Sequence, residues 1–262
     1  MSAPLLSAEG VCKSYAGVRA VQDMHLRVHG GELVALIGPN GSGKSTLFDC
    51  ITGFQKSDAG TVHFDGRDVS DWKPHRLARC GLRRTFQQLR VFPGLSVGDN
   101  LLAAGQAALG FGFVTEIIGG ARVRSHVAQM RARCMELLAS LRLDPVQAKP
   151  ASVLSYGQKK LLEFGMAMMG KPRLLMLDEP MAGVNPTVIE DLKHLLLQAR
   201  AEGAAVLMVE HNLKLILEVS DRVYVMDQGR LLAEGTPAAV AADERVLQAY
   251  LGRSRMGAHA ID

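Results

Sequence analysis

Nine consecutive residues, Gly38-Pro39-Asn40-Gly41-Ser42-Gly43-Lys44-Ser45-Thr46, fit the pattern G-x-x-x-x-G-K-[S/T]. Glycines at 38, 41 and 43 let the backbone bend until several N–H groups face one point, and a helix beginning there adds the positive end of its dipole. Such a cradle suits a triphosphate. Within it Lys44 reaches the β- and γ-phosphates and the Ser45 hydroxyl ligates Mg²⁺. The bland alternative is a glycine-rich turn with an exposed lysine, which leaves the strand-like run before it and the helix-like run after it without a role.

A phosphate cradle specifies a nucleotide and nothing finer, so the partner acids decide the class. Leu174-Leu175-Met176-Leu177-Asp178-Glu179-Pro180 places two carboxylates at the end of an apolar strand, and parallel strands present their carboxyl ends to the ligand crevice. Asp178 is expected to hold the Mg²⁺ shell and Glu179 to polarise an attacking water, a role worth typically ~10²–10⁴ in rate. Read without the loop, the pair is two solvated acids in a turn. Upstream, Leu154-Ser155-Tyr156-Gly157-Gln158 opens a helical pattern, with Ser155 and Gln158 spaced as a capping box. That box is a complete structural explanation, yet bare N–H groups, a hydroxyl and a glycine also make a second anion site.

The elements that must position these groups follow from pattern. Met24, Leu26 and Val28 alternate with polar residues ahead of Gly30-Gly31, and Glu32 to Ile37 is a short apolar run leading into the glycine loop. Ser45 to Ile51, closed by Gly53, reads as a helix; Gly60 to Gly66 and Leu82 to Phe86 read as short strands. From Val91 to Leu154 the character is helical, with Val123, Val127, Met130, Cys134, Leu137, Leu138 and Leu141 on one face. Arg173 to Asp178 is a strand. A helix with Asn185 as N-cap, Pro186 at its first position and Gly203 beyond its end leads to a strand at Ala204 to Val209. Strand, helix and strand imply a parallel sheet with crossover helices. Val223 to Met226 and Leu231 to Ala233, joined by Asp227-Gln228-Gly229, form a hairpin, and a short helical tail ends near Leu251.

Composition bounds the rest. The chain has 262 residues, 48% hydrophobic, 21% charged and 5% aromatic, which suits a soluble globular fold and excludes bulk disorder. Leu101 to Thr115, the most apolar stretch, is shorter than the ~20 residues of a membrane span. The N-terminal residues show no secretory signal, so the cytosol is the expected compartment. Cys12, Cys50, Cys80 and Cys134 form no C-x-x-C pair and are read as buried reduced thiols. A net charge of +4 is too weak to identify a nucleic-acid binder. Arg76, Arg79, Arg83, Arg84 and Arg90 make a basic run, read as a solvated face, with lipid head groups or a membrane partner as the alternative.

The order of motifs, loop 38–46, Gln87, LSYGQ at 154–158, LMLDEP at 175–180 and His211, resembles the nucleotide-binding subunits of ATP-binding-cassette transporters over nearly the whole chain. LSYGQ just upstream of the Asp-Glu strand separates that family from other P-loop ATPases. Within it, LSYGQ with Tyr156 for the commoner glycine, AGVNP at 182–186, VEHN at 209–212 and AYLG at 249–252 are similar to the ATPases of branched-chain amino acid importers. The resemblance implies an α/β fold: a P-loop NTPase core with a mostly parallel sheet, an N-terminal antiparallel β part and an inserted α-helical lobe. It further implies that residues 1–262 form one domain, with 1–90 and 160–240 as core, 91–159 as lobe carrying the LSYGQ motif at its end and 241–262 as tail.

It also implies roles. Tyr15 stacks on adenine, against the bland reading of a lone tyrosine in core or surface. Gln87 touches Mg²⁺ and the attacking water and reports nucleotide state to membrane subunits, with Gln88 as a neighbouring register. His211 contacts the γ-phosphate. Ser155, Gly157 and Gln158 bind the γ-phosphate held by the other subunit of a dimer. Asn185 stands where many members have aspartate, and N-capping accounts for it equally well. The cofactors implied are ATP and Mg²⁺. The implied partners are a second copy or a similar ATPase, membrane permease subunits and, indirectly, a solute-binding protein, with no nucleic acid. The implied location is cytoplasmic and peripheral, on the cytoplasmic face of the inner membrane.

Branched-chain amino acids are the expected solute, with urea or short amides as the alternative. A soluble cassette ATPase acting on nucleic acid or the ribosome is a second class, whose usual second cassette, long coiled coil or zinc insertion is not seen here. A P-loop small-molecule kinase is a third, and it leaves LSYGQ and His211 without a role. The apolar segment from Leu101 to Gly120 is expected to contribute partner-facing surface.

Overall fold

The computed structural model describes residues 3–85, 90–109 and 121–256. Strands β1 (Leu6–Tyr15), β2 (Val18–Val28), β4 (Ala59–Phe64) and β5 (Arg67–Asp68) form an antiparallel sheet in the order β2-β1-β4-β5. A second sheet runs β10-β9-β3-β8-β7-β6, built from β3 (Leu33–Ile37), β6 (Leu82–Arg84), β7 (Leu174–Asp178), β8 (Ala205–Val209), β9 (Arg222–Asp227) and β10 (Arg230–Gly235). All its pairings are parallel except the β9–β10 hairpin. The α/β fold with an antiparallel N-terminal part is as expected.

β3, β7 and β8 are buried along their whole length, as strands covered on both faces must be. Their side chains alternate between two cores, because successive residues of a strand point to opposite faces. Leu33, Ala35 and Ile37 enter one core together with Leu175, Leu177, Val206 and Met208; Val34 and Leu36 enter the other with Leu174, Met176, Ala205 and Leu207. The second core also holds Leu6, Met24, Leu26 and Phe64 of the antiparallel sheet, and Leu47, Phe48 and Ile51 of helix α1 (Lys44–Ile51). α1 is therefore clamped between the two sheets, and the loop before it inherits a fixed position.

The first core receives the helical segment. Helix α3 (Val97–Leu109) contributes Leu101, helix α4 (Ala121–Ser140) contributes Cys134, Leu137 and Leu138, and helix α5 (Tyr156–Met168) contributes Leu161, Leu162 and Phe164. Where it is described, the expected face is the buried one: Cys134, Leu137, Leu138 and, just past α4, Leu141 have almost no exposure, and Val127 and Met130 are half-buried, while the side chain of Val123 lies outside the described residues. The expectation of partner-facing surface at Leu101 to Gly120 meets core at its start. Leu101 is fully buried, and a Cβ on Gly105 would come within 2.8 Å of Met169 and 2.9 Å of Met130. Residues 110–120, Phe111 among them, lie outside the described residues.

Helix α2 (Pro74–Arg79), which the sequence pattern does not announce, opens on Pro74 and buries Leu77. Helices α6 (Pro186–Ala201), α7 (Leu213–Val219), α8 (Pro237–Ala241) and α9 (Glu244–Met256) complete the order. No helix among the described residues is long and apolar enough to cross a membrane.

All four cysteines are free, but only Cys50 and Cys134 are buried; Cys12 and Cys80 are half-buried, which corrects the expectation for those two. Burial pushes the Cys50 thiol up to about 11 and the Cys134 thiol up as well. Thiolate is the reactive form. Native alkylation at pH 8, read by mass spectrometry, should therefore label Cys12 and Cys80 first and leave Cys50 and Cys134 unmodified until the protein is denatured.

Candidate active site

The parallel strands bring their carboxyl ends to one edge of the sheet. Across that edge, in spatial order, stand loop 38–43 after β3, residues 210–212 after β8, Glu179 and Pro180 after β7, and Arg84 at the end of β6. Groups far apart in sequence thus meet in one crevice.

Loop 38–43 is held by backbone on both sides. Gly38 has φ 148° and Gly43 φ 102°; a Cβ on Gly38 would stand 2.0 Å from the Met226 carbonyl oxygen, and one on Gly43 2.1 Å from that of Ala20. The Gly229 N–H donates to the Ser42 carbonyl at 2.9 Å, so the β9–β10 turn fastens the loop from behind. Gly43 caps α1 without a side chain, and no acidic residue occupies the first turn. The helix's first N–H groups and its dipole are left to an anion. The Lys44 ammonium, buried at the mouth of the loop, donates to the Gly38 carbonyl at 2.8 Å, the Pro39 carbonyl at 2.9 Å and the Ser42 hydroxyl at 3.3 Å. Ser45 lies exposed on the first turn, and Asn40 and Gly41 are exposed on the loop.

Asp178 ends β7 with its side chain 7% exposed and accepts from Arg84 Nη2 at 3.0 Å. The same guanidinium, 8% exposed, donates through Nη1 to the Asp49 carboxylate and to Thr52 Oγ1 at 3.0 Å, both on or just after α1. Burial is the strongest influence on Asp178 and pushes its carboxyl above the ordinary range, while Arg84 acts in the opposite direction. Arg84 is thus a buried cation joining α1, β6 and β7, which corrects its reading as part of a solvated face. Arg83 is half-buried, and Arg76 lies over the Trp72 ring at 3.7 Å; Arg79 and Arg90 are exposed. The reason is strand geometry: the end of β6, paired to β7, lies beside the two carboxylates. Arg84→Ala strands Asp178 without its partner and should cost about 3–5 kcal/mol, measured by urea unfolding at neutral pH.

Glu179 has φ 49°, and its N–H donates to the Val209 carbonyl at 3.0 Å. The positive φ turns the side chain toward β8, and Glu179 Oε1 meets His211 Nε2 at 2.9 Å. The structure therefore joins Glu179 and His211, which are 32 residues apart in sequence. A carboxylate and an imidazole in contact at the strand ends, on the same edge as the glycine loop, can hold and move a proton.

Ser155 and Gln158 form the capping box on α5. The Gln158 N–H donates to Ser155 Oγ at 3.2 Å, and the Ser155 N–H donates to Gln158 Oε1 at 3.0 Å. Gly157 is required by packing, since a Cβ there would lie 2.8 Å from Val188 of α6. Asn185 caps α6 by accepting from the Val188 N–H at 3.0 Å. Tyr15 is exposed near the β1–β2 turn with Lys13 Nζ 5.5 Å from its ring centre. Gln87 lies outside the described residues.

The ABC transporter family pattern matches residues 21–182, and a second, described as the branched-chain amino acid ATP-binding cassette transporter, matches 230–255. The chain is 37% identical over 255 residues to the high-affinity branched-chain amino acid transport ATP-binding protein BraF of Pseudomonas aeruginosa, covering 97% of this chain and all of that one. The same figures hold for LivG of Escherichia coli K12, which carries the same description. Among solved structures, the ADP conformation of an ATP-binding cassette of an ABC transporter superposes with a TM-score of 0.82 at 32% identity, over 96% of this chain and 100% of that one. The strand-end crevice, its glycine loop and the agreement over nearly the whole length lead to one conclusion: the chain belongs to the ABC transporter family, as an ATP-binding cassette homologous to the branched-chain amino acid transport ATPases.

Proposed function

We propose that the chain is the ATP-hydrolysing subunit of a branched-chain amino acid importer, working on the cytoplasmic face of the inner membrane with separate permease subunits and a second cassette. The solute class rests on one observation above others: residues 230–255, outside the general cassette pattern, match the pattern described as branched-chain amino acid ATP-binding cassette transporter. Residues 91–159 are read as the lobe that carries the Ser155 motif toward the second cassette.

In this reading the loop at 38–46 and the N-terminus of α1 bind the triphosphate, and Lys44 exchanges its contacts with loop carbonyls for phosphate oxygens. Ser45 and Asp178 supply a hydroxyl and a carboxylate, hard oxygen donors of the kind that hold Mg²⁺ together with substrate phosphates. When bound, that ion neutralises charge on the β- and γ-phosphates. Glu179 takes the proton of the attacking water as general base. His211 orients the Glu179 carboxylate through their 2.9 Å contact and faces the γ-phosphate. Ser155, Gly157 and Gln158 of one cassette complete the site of the other. Tyr15 stacks on adenine and Gln87 links the site to the permease, both carried over from the family resemblance.

The test is uptake of labelled leucine by cells lacking the gene. Wild-type protein should restore uptake and Glu179→Gln should not; unchanged leucine uptake after deletion, with loss of uptake of another solute, would reassign the transporter.

A further inference from the structure

Beside the pair Glu179–His211 lies a second acid that the reading above leaves without a role. Glu210 follows β8 directly and is 4% exposed. Its carboxylate is divided between two loops. Oε1 accepts from the Met181 N–H at 2.9 Å, on the loop after β7. Oε2 accepts from the His211 N–H at 3.0 Å, and the Asn212 N–H also bonds to the carboxylate.

Backbone donors from both sides of the Glu179–His211 contact thus converge on one side chain. Glu179 lies two residues before Met181 in a tight turn, where the Ala182 N–H donates to the Glu179 carbonyl at 3.2 Å. Holding Met181 therefore fixes the turn that aims Glu179. Holding the N–H groups of His211 and Asn212 fixes the backbone that aims His211, just ahead of the Asn212 cap of α7. Burying a carboxylate is costly unless its oxygens are bonded. A neutral hydroxyl or amide in its place offers fewer acceptor sites for three donors.

We propose that Glu210 is a positioning residue for ATP hydrolysis: it locks the loop after β7 to the loop after β8 and so sets the Glu179–His211 geometry. It touches neither nucleotide nor water and acts through its two neighbours. The proposal rests on the assignment of Glu179 and His211 to hydrolysis.

Glu210→Gln preserves shape but replaces one acceptor oxygen by a donor that faces backbone N–H. Glu210→Asp keeps the charge but shortens the reach by about 1.5 Å, enough to release Met181. Both should fold. Glu210→Gln should lower kcat by about 10- to 100-fold, the scale of a catalytic group displaced by an ångström. Its equilibrium affinity for ATP, read with a fluorescent analogue, should stay within about threefold of wild type. Because part of the effect runs through His211, the fold-loss in kcat caused by Glu210→Gln should be clearly smaller in a His211→Ala background than in wild type.

Full turnover in Glu210→Gln, or a loss that multiplies undiminished in the double variant, would overturn the proposal. So would a loss of ATP affinity equal to the loss of kcat. If Glu210→Gln gives no cooperative melt, Glu210→Asp carries the same test, and failure of both to fold would make Glu210 a purely structural carboxylate. If His211→Ala and Glu179→Gln themselves left hydrolysis intact, the functional reading would fail first; if they lower it steeply and Glu210→Gln turns over as wild type does, only this inference falls.

Discussion

Glu179→Gln should bind ATP as wild type does and lose turnover by about 10²- to 10⁴-fold, the usual worth of a positioned general base. The substitution is close to isosteric. The introduced amide would keep an oxygen for the 2.9 Å contact with His211, and the turn that places the residue depends on backbone bonds to Val209 and Ala182 that the change leaves alone. What is lost is the capacity to accept a proton. In the proposed reading, binding belongs to other residues, the loop at 38–46 and the N-terminus of α1, which has no side-chain cap. ATP should therefore persist between two cassettes, and light scattering should show the mass doubling when ATP is added. Wild-type turnover in this variant would remove Glu179 from its role.

The second large effect is Gly43→Ala. Two costs coincide: φ of 102° is strained for any L side chain, and the new Cβ would sit 2.1 Å from the Ala20 carbonyl oxygen, a backbone atom of β2 that cannot swing aside. Either the loop or the strand must move, and the loop is the weaker. The expected cost is roughly 3 kcal/mol or more in stability, the sum of backbone strain and overpacking, with ATP affinity reduced beyond the reach of equilibrium titration. Gly41→Ala is the control. Its φ is 77°, yet nothing lies within 4 Å of the added carbon, so only the left-handed strain of about 1–2 kcal/mol applies. Thermal melts and nucleotide titration of the two variants should separate clash from strain; equal behaviour would contradict the packing argument.

The parts of this architecture that follow a short-range rule could be read from sequence. Alternation placed Met24, Leu26 and Val28 on one face, and they are buried. Capping chemistry placed Asn185 and Ser155 at helix starts, where their side chains accept the expected N–H groups. The apolar runs before Asp178 and His211 became strands whose parallel pairing, Asp178 opposite Val209, brings Glu179 to His211. What escaped the sequence was the chemistry of strand ends in three dimensions. Arg84 looks like one of a basic run until β6 pairs with β7 and sets it between Asp49 and Asp178. Glu210 is one acid beside a more conspicuous histidine, and its value depends on a loop 29 residues away. The one available signal for both is position, since each sits at the end of a strand pointing into the crevice. α2 escaped because its six residues carry too little apolar periodicity to read.

Every role assigned above converges on one event, the direction of water onto the γ-phosphate of ATP within this crevice. Hydrolysis by the purified chain with Mg²⁺ in ¹⁸O-enriched water tests it directly, with mass spectrometry of both products. The expected result is labelled inorganic phosphate, unlabelled ADP and neither product in Glu179→Gln on the same timescale. Label in the ADP, or phosphate transferred to an acceptor other than water, would contradict it.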